Sequence, residues 1–398
     1  MKLSPYDLNL RHLCAFVEVC RAGSISGASA AVHLSQPAIT HALHGLEARI
    51  GSPLFHRGGR GMQPTQLGQR LRDRAQRALD HLNSNGPRPR SGRLETNATG
   101  AQLRVLEAIG RAGSISAAAR SLNIAQPSAH RAARTLEERL RTKLFEKSRS
   151  GMVLTRQGYA LSRAARLMWA ELDQGLQEIA TAAGSGSPRM RIGALPLARA
   201  TIIGQAIDRV QATGPGMRVL IDDGPFPDLL RAVRAGELDI LVGALRNPPP
   251  AADITQEVLF SDGLGIFCGP GHPLLRVRAE LKGRMHAFPW VLPRRNTPTR
   301  EYFEAAFPDL AGAASARLIE TSSMILVREL LQSGERLTLM SRTQAAAEVR
   351  RGTLFELPVA LADAPRPIGL LYRSGWVPTS GQGHFLNALR EVSAALPG

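Results

Sequence analysis

The sequence predicts a multidomain protein in which two related helical units precede an α/β domain. Its 398 residues, 43% of them hydrophobic, exceed what one ordinary core holds and suffice for two or three domains. The string RAGSIS occurs at Arg21–Ser26 and again at Arg111–Ser116, 90 positions later, which indicates a duplicated unit. From Met190 onward, short apolar runs alternate with helical patterns, as is typical of α/β domains.

The duplicated unit continues without insertion from Arg21 to Gly68. The pairs that match at the same spacing are Gln36 and Gln126, Pro37 and Pro127, Leu46 and Leu136, Glu47 and Glu137, Arg49 and Arg139, Leu54 and Leu144, Phe55 and Phe145, Gly61 and Gly151, Met62 and Met152, Thr65 and Thr155, and Gly68 and Gly158. Chance does not produce so many matches in one register. We therefore expect both copies to have the same fold.

The first two helices of each copy are predicted from the spacing of apolar residues and from the residues that end or cap helices. In the first copy, Leu13, Phe16, Val17 and Cys20 recur at helical spacing. Gly23 then ends the helix, because glycine adopts the left-handed conformation that closes it. Ser24 or Ser26 can cap a second helix of small residues, which allow close helix packing.

The third helix has one apolar stripe and one free face. Ser35, Gln36 and Pro37 are typical of a capped helix start, and the stripe consists of Ile39, Leu43, Leu46 and Ile50. After it, PLFHRGGRGMQPT in the first copy and KLFEKSRSGMVLT in the second predict two short strands around a basic tip. Three helices and such a wing describe a winged helix-turn-helix, whose third helix enters the major groove of DNA.

The first copy resembles the DNA-binding unit of the LysR-type transcriptional regulators. The resemblance rests on the string LSQPAIT, the pair Leu46 and Glu47, and the later strings IGSPLF and MQPT. The second copy is more diverged, and Ala125 stands where the family usually has serine or threonine. His41 likewise occupies a position that is commonly arginine. The resemblance therefore implies DNA binding, with weaker binding by the second copy as one alternative.

Polar residues of the third helices and basic residues of the wings are the candidate DNA contacts. In the first copy they are Gln36, Pro37, Thr40, His41, His44, Arg57 and Arg60; in the second, Gln126, Pro127, Ser128, His130, Arg131, Arg134, Lys147 and Arg149. The alternative for the polar residues is a solvated helix face. For the two prolines the alternative is helix initiation.

The distribution of charge supports a nucleic-acid partner. The formal net charge is +17. Residues 1–182 hold 26 Lys and Arg against 13 Asp and Glu, whereas residues 183–398 hold 24 against 20. A basic region attracts a polyanion through counterion release. A merely solubilising surface is the alternative.

The segments that follow the wings define the expected domain limits. We predict a first winged helix-turn-helix over 1–83 and a flexible linker, rich in Pro, Gly and Arg, over 84–99. A second winged helix-turn-helix with a long linker helix covers 100–187. In LysR-type regulators that helix pairs with a partner subunit, so the resemblance implies a homodimer or homotetramer. Intramolecular packing of the helix is the alternative.

Residues 188–398 are predicted to form an effector-binding domain with parallel sheets. The candidate strands are MRIGAL, MRVLID, LDILVGAL, LGIFCG, WVLPR, LTLMS and PIGLLYR. GELDILVGA and SSMILVRELLQSGERLTLMS resemble the LysR-type effector domain, a two-lobed fold like periplasmic binding proteins with an inducer in the cleft. We expect lobe one over 188–263 and 367–398, and lobe two over 264–366.

Ligands of open α/β sheets bind beyond the carboxyl ends of the strands, which nominates three segments as effector contacts. They are Leu195, Pro196 and Leu197; Arg294, Arg295, Asn296, Thr297 and Thr299; and Thr321, Ser322 and Ser323. The hydroxyls can donate to a carboxylate and the arginines can neutralise it. Helix capping is the alternative for each hydroxyl. PWVLPRRNTP resembles regulators of aromatic-acid catabolism, which suggests an aromatic carboxylate.

Other function classes find little support. No GxSxG or GxxxxGK[ST] motif and no metal-spaced His/Cys cluster is present, so we expect no enzyme, no metal and no cofactor. Cys14, Cys20 and Cys268 form no CxxC pair and are interpreted as buried thiols. The lack of a signal peptide or membrane span predicts a cytoplasmic protein. RNA polymerase is a further candidate partner; a nonspecific chromosome-organising protein and a metabolite-processing enzyme are the alternative functions.

Overall fold

The computed structural model describes residues 3–56, 61–87, 89, 92–148, 151–214, 216–277, 280–313, 317–332, 334–362 and 366–396. The chain divides into two compact units. The first comprises Met1–Pro188 with Ala235–Glu237, and the second Arg189–Arg234 with Leu238–Gly398.

The first copy of the repeat begins with a 3-10 helix, Pro5–Asp7, and continues with α1 Leu10–Ala22, α2 Ile25–Val32, α3 Gln36–Ile50 and α4 Gln66–Asn85. Gly23 closes α1 at φ +66°, as the sequence predicts. Ser24 caps α2 by accepting a hydrogen bond from the Gly27 N–H. Ser35 occupies the N-cap of α3, but its side chain makes no capping bond. The expected capping role of Ser35 is therefore wrong.

The second copy contains α5 Leu94–Asn97, α6 Gly100–Ala112, α7 Ile115–Ser121, α8 Gln126–Leu140, β1 Phe145–Ser148, β2 Gly151–Leu154 and α9 Arg156–Ala182. Strands β1 and β2 pair antiparallel and form the predicted wing. In the first copy the described residues contain one bridge at this place, Phe55 with Pro64. Within the predicted linker, Leu94 and Glu95 are buried in helix α5.

The repeat is preserved in detailed contacts as well as in sequence. The Glu47 carboxylate accepts from the Leu54 N–H at 2.7 Å, and Glu137 accepts from Leu144 at 2.7 Å. At the starts of α4 and α9, threonine hydroxyls accept from the N–H of Gly68 and Gly158, at 3.0 and 3.1 Å. The duplicated sequence thus specifies the same local fold twice.

The two copies share one hydrophobic core rather than forming two. Helix α4 packs along α9, and Leu71, Ala75 and Leu82 of α4 belong to the same cluster as Leu161, Ala165 and Leu172 of α9. The resemblance assigned a partner subunit to α9. The structure instead places α4 of the same chain against it, which is the intramolecular alternative.

The second unit contains β3 Arg189–Ala194, α10 Pro196–Ala200, α11 Ile202–Thr213, β4 Arg218–Asp222, α12 Phe226–Arg234, β5 Ile240–Ala244, β6 Ile254–Asp262, β7 Leu264–Cys268, α13 Leu281–Arg284, β8 Trp290–Leu292, α14 Pro298–Ala306, α15 Pro308–Ala313, β9 Leu318–Glu320, α16 Met324–Gln332, β10 Leu337–Ser341, α17 Arg342–Arg350, β11 Phe355–Leu357, β12 Arg366–Arg373 and α18 Ser380–Ala394. All seven predicted strands form. Strands β6, β9 and β11 were not predicted.

These strands form two sheets, in the orders β4-β3-β5-β12-β6 and β11-β7-β10-β8-β9. The two-lobed α/β fold expected from the resemblance is confirmed. The expectation of parallel sheets is wrong, since β12 runs antiparallel to β5 and β6, and β7 antiparallel to β10 and β11. The reason is that β6 and β7 carry the chain from one lobe into the other, and β12 brings it back.

Candidate DNA interface and effector cleft

Helix α3 separates its core side from its outer side as the sequence predicts. Ile39, Ala42, Leu43 and Leu46 are buried. Gln36, Pro37, His41 and His44 are exposed, and Thr40 is half-buried. The Thr40 hydroxyl donates to the Gln36 carbonyl at 3.0 Å. With Ile25 and Ser29 of α2, all five candidate residues line one shallow surface depression.

Helix α8 presents the equivalent face in the second copy. Ala129, Ala133, Leu136 and Leu140 are buried. The exposed candidates are Gln126, Pro127, Ser128, His130, Arg131 and Arg134. All of them except Ser128 line a second shallow depression. Ala125 occupies the N-cap without a side-chain bond, as Ser35 does in α3. The serine-to-alanine difference between the copies therefore removes no capping bond.

The wings are described only in part. Lys147 is exposed on strand β1, which follows helix α8 in the sequence. Arg57, Arg60 and Arg149 lie outside the described residues. Arg134 pairs with Glu138 at 3.1 Å, with both side chains mostly exposed. Such an exposed pair is worth little, so it leaves the guanidinium available to a stronger anion such as phosphate.

The carboxyl ends of strands in both lobes meet at the crossover between them. In lobe two, the Thr321 N–H donates to the Leu292 carbonyl at 2.9 Å, because β8 and β9 run parallel and in register. Segments 294–299 and 321–323 are thereby brought together. In lobe one, the Leu195 N–H donates to the Val242 carbonyl, so Leu195 follows the ends of β3 and β5. Helix α10 after Leu195 packs against α17 of lobe two.

Several candidate effector residues cap helices. The Thr297 hydroxyl accepts from the Arg300 N–H at the start of α14. The Ser323 hydroxyl accepts from the Leu326 N–H, and Thr321 accepts from the Ser323 N–H. Ser322, Arg294, Arg295 and Asn296 are exposed, while Leu195, Pro196 and Thr299 are half-buried and Leu197 is buried. The four exposed side chains, Arg294, Arg295, Asn296 and Ser322, are therefore better placed to bind a ligand than the hydroxyls that cap helices.

A buried network at the crossover was missed by sequence reasoning. Asp262, 2% exposed, accepts from the Ser341 hydroxyl at 2.9 Å and from Arg366 Nη2 at 2.7 Å. Arg366 Nη1 also donates to the Thr299 hydroxyl at 2.6 Å. The network therefore joins β6, β10, β12 and α14. Thr299, an expected effector contact, thus accepts a hydrogen bond from Arg366 within this network.

Arg246 is the second missed residue. It follows β5, and its backbone N–H and carbonyl both bond to the Gln256 side chain. Its guanidinium lies 4.5 Å from the Phe226 ring centroid. Burial lowers its pKa; the nearby Glu301 charge opposes this and the Arg366 charge adds to it. The strand-end rule applied to β3 would also have found Arg246 at the end of β5.

Within the described residues, no group of three His, Cys, Asp or Glu side chains is arranged to hold a metal ion. No helix in the described ranges is long and apolar enough to cross a membrane.

Two families match the chain. The LysR substrate binding domain matches residues 183–394, and the bacterial regulatory helix-turn-helix of the lysR family matches twice, at 10–69 and 101–159. The HTH-type transcriptional regulator GalR of Pseudomonas putida is 31% identical over 388 residues, which are 96% of this chain and 97% of that protein. The chain belongs to the LysR family.

Other LysR-family relatives match less of the chain. PcaQ of Agrobacterium fabrum is 29% identical over 294 residues, 74% of this chain but 94% of that protein. About a quarter of this LysR-family chain is thus unmatched by PcaQ, whereas GalR matches both DNA-binding copies.

Solved LysR-family structures have the same fold. ArgP from Mycobacterium tuberculosis aligns with a TM-score of 0.55 at 16% identity, covering 74% of this chain and 97% of that one. CbnR in complex with its target DNA aligns with a TM-score of 0.51 at 18% identity, covering 73% of this chain and 99% of that one. LysR regulators bind operator DNA and small-molecule effectors and form oligomers, in agreement with the expected partners. The chain is a transcriptional regulator.

Proposed function

We propose that this regulator reads operator DNA with the exposed faces of α3 and α8 and responds to a small carboxylate bound in the cleft of its effector domain. The observation that carries the first part is the pair of solvent-facing depressions, each lined by the polar residues of a third helix. Side chains of this kind donate to base edges in the major groove. We assign no catalytic activity, because the family consists of regulators. A regulator of bacterial genes acts in the cytoplasm.

The chemistry of the cleft supports an anionic inducer. Arg294 and Arg295 are exposed beyond the end of β8, and the Ser322 hydroxyl stands at the end of the adjacent β9. Arg246 supplies a further cation from the other lobe. The planar guanidinium group of arginine matches the geometry of a carboxylate and can stack on an aromatic ring. An aromatic carboxylate such as benzoate or a hydroxybenzoate fits this combination.

The DNA-binding part is tested with the full-length chain and a fluorescent duplex that covers the region upstream of its own gene. A scrambled duplex of equal composition is the control. We expect affinity for the first duplex to be about 1,000-fold higher or more, as specific regulators show. Equal affinity for both would favour the chromosome-organising alternative.

The inducer part is tested by adding benzoate, 4-hydroxybenzoate or 3,4-dihydroxybenzoate to the same assay and to thermal unfolding. A ligand at 100 times its Kd stabilises the folded state by about 2.7 kcal/mol. We expect at least one compound to raise the melting temperature and to change DNA affinity. No response to any carboxylate would contradict the proposed inducer class, and consumption of the compound would indicate an enzyme.

A further inference from the structure

Helices α4 and α9 pair antiparallel within one chain. A side chain at Gly86 would meet Leu161, and one at Gly175 would meet Arg74. Between these points, Arg77 pairs with Glu171 at 3.2 Å. As the residue number rises along α4, the number of the residue that it contacts on α9 falls. The two helices therefore run in opposite directions along their length.

The paired helices are equivalent elements of the repeat. Each begins after the threonine that caps it, Thr65 or Thr155, at the spacing of 90 positions. Antiparallel pairing of two equivalent helices is the geometry that a two-fold axis produces in a symmetric dimer. Here the two partners belong to one chain.

The segments before α1 and α6 reinforce this relation, because each reaches the other copy. The Tyr6 ring packs 5.1 Å from the Trp169 ring of α9, and Arg104 of α6 lies 4.7 Å from the Tyr6 centroid. In return, α5 packs against α1 and α4, and Arg11 of α1 donates to the Thr96 carbonyl at 3.1 Å. The Pro5–Asp7 helix and α5 stand 90 positions apart, so the exchange is reciprocal.

The contacting faces of the helix pair are closed to another subunit. Leu71, Ala75 and Leu82 of α4 are fully buried within the chain, as are Leu161, Ala165 and Leu172 of α9. Arg74, 2% exposed, bonds to Glu171, Gln174 and Glu178 of α9. An oligomer of this chain must therefore use surfaces other than these contacting faces.

We propose that one chain is the covalent counterpart of a dimeric DNA-binding unit and by itself occupies two half-sites, which differ in sequence. The inference rests on the proposed reading of DNA by α3 and α8. At equivalent positions of these helices, Thr40, His41 and His44 correspond to His130, Arg131 and Arg134. Arginine makes bidentate contacts to guanine that histidine cannot reproduce. The operator is then non-palindromic and is bound in one orientation.

The test uses the full-length chain and a random-sequence duplex library. Repeated selection should yield two unlike half-motifs in constant order and at constant spacing, about 10 base pairs or a multiple apart. Native mass spectrometry with an excess of a one-site duplex should give one bound duplex for each chain, whether the chain is a monomer or an oligomer. A palindrome of identical half-motifs, or one bound duplex for every two chains at saturating DNA, would overturn the inference. Selection that enriches no sequence would instead overturn the proposed sequence-specific reading.

Variants assign each half-motif to a copy. Arg131→Ala with Arg134→Ala should abolish selection of one half-motif and leave the other intact, and His41→Ala with His44→Ala should do the converse. These side chains are exposed, so folding should not change; Arg218→Ala, exposed in the other unit, is the matched control. The triple variant Thr40→His, His41→Arg, His44→Arg should turn the selected site toward a palindrome. An unaltered site in the second-copy variant would overturn the inference.

Discussion

Arg74 is the residue through which the intrachain helix pair is most readily perturbed. Its Nη1 lies 3.1 Å from Glu171 Oε2 and 2.6 Å from Gln174 Oε1, and its Nε lies 3.0 Å from Glu178 Oε2. Burial lowers its pKa, but the hydrogen bond to Glu178 and the charge of Glu171 outweigh this, and the pKa is raised. The guanidinium is therefore charged inside the pair.

The substitution Arg74→Leu removes this charge and leaves the Glu171 carboxylate, 3% exposed, without its buried partner. Removing one member of a buried ion pair costs about 3–5 kcal/mol of unfolding free energy. Arg77, 30% exposed, remains 3.2 Å from the same carboxylate oxygen. We therefore expect the lower end of the range, about 3 kcal/mol.

The measurement is urea unfolding of the full chain, followed by fluorescence in a background with Trp290→Phe and Trp376→Phe. Trp169 of α9 is then the only tryptophan and reports on this unit. The control is Arg72→Leu on the same helix, where an exposed pair with Asp73 is worth about 0–1 kcal/mol. The double variant Arg74→Leu with Glu171→Leu should regain most of the loss, since apolar residues can replace a buried pair. If Arg74→Leu matches Arg72→Leu, or the double variant is no more stable than the single, the reasoning is refuted.

Three further outcomes are expected. Affinity of the full chain for operator DNA should fall steeply between 50 and 200 mM salt, because Lys and Arg displace counterions; an affinity independent of salt in an anisotropy titration would contradict this. The variants Arg246→Gln, Arg294→Gln and Ser322→Ala should weaken inducer binding in calorimetry and leave inducer-free DNA affinity unchanged; unaltered inducer affinity in all three would remove the cleft assignment. Burial raises the pKa of Cys14 to about 11 and of Cys20 and Cys268 to about 12. Little thiolate is then present at pH 7.5, so native thiols should react with DTNB far more slowly than unfolded ones, and rapid labelling would show them accessible.

Local structure in the DNA-binding unit was largely predictable, because short-range patterns specify it. Gly23 and Gly113 close equivalent helices at φ +66°, and only a residue tolerant of positive φ fits there. Gly68 and Gly158 are fixed for a different reason, since a Cβ would lie 2.1 Å from the carbonyl oxygen of Leu54 or Leu144. Such constraints act between residues that are near each other in the chain, and they are visible in the sequence as glycines at fixed positions.

The effector domain was less predictable at its crossover. Strand β6 lies at the sheet edge and is buried only at its two ends, with mostly half-buried residues between them, so it lacks the apolar run that revealed β5. Arg246 and Arg366 look like surface residues in sequence. Their positions depend on how β12 pairs with β5 and β6, which are contacts between distant parts of the chain.

The sequence by itself determined the duplication, the third helices with their exposed polar faces, the two-lobed effector domain and the family. These features follow from the periodicity of apolar residues, from helix-ending and helix-capping residues, and from shared motifs, each of which is local or repeated. Only the tertiary structure decided that α4 covers α9 within the same chain. An apolar stripe indicates that one face of a helix is buried, but it does not indicate which element packs against that face. The connector of residues 86–93 is short enough to make the second copy the nearest partner, and Arg74 finds its carboxylates there.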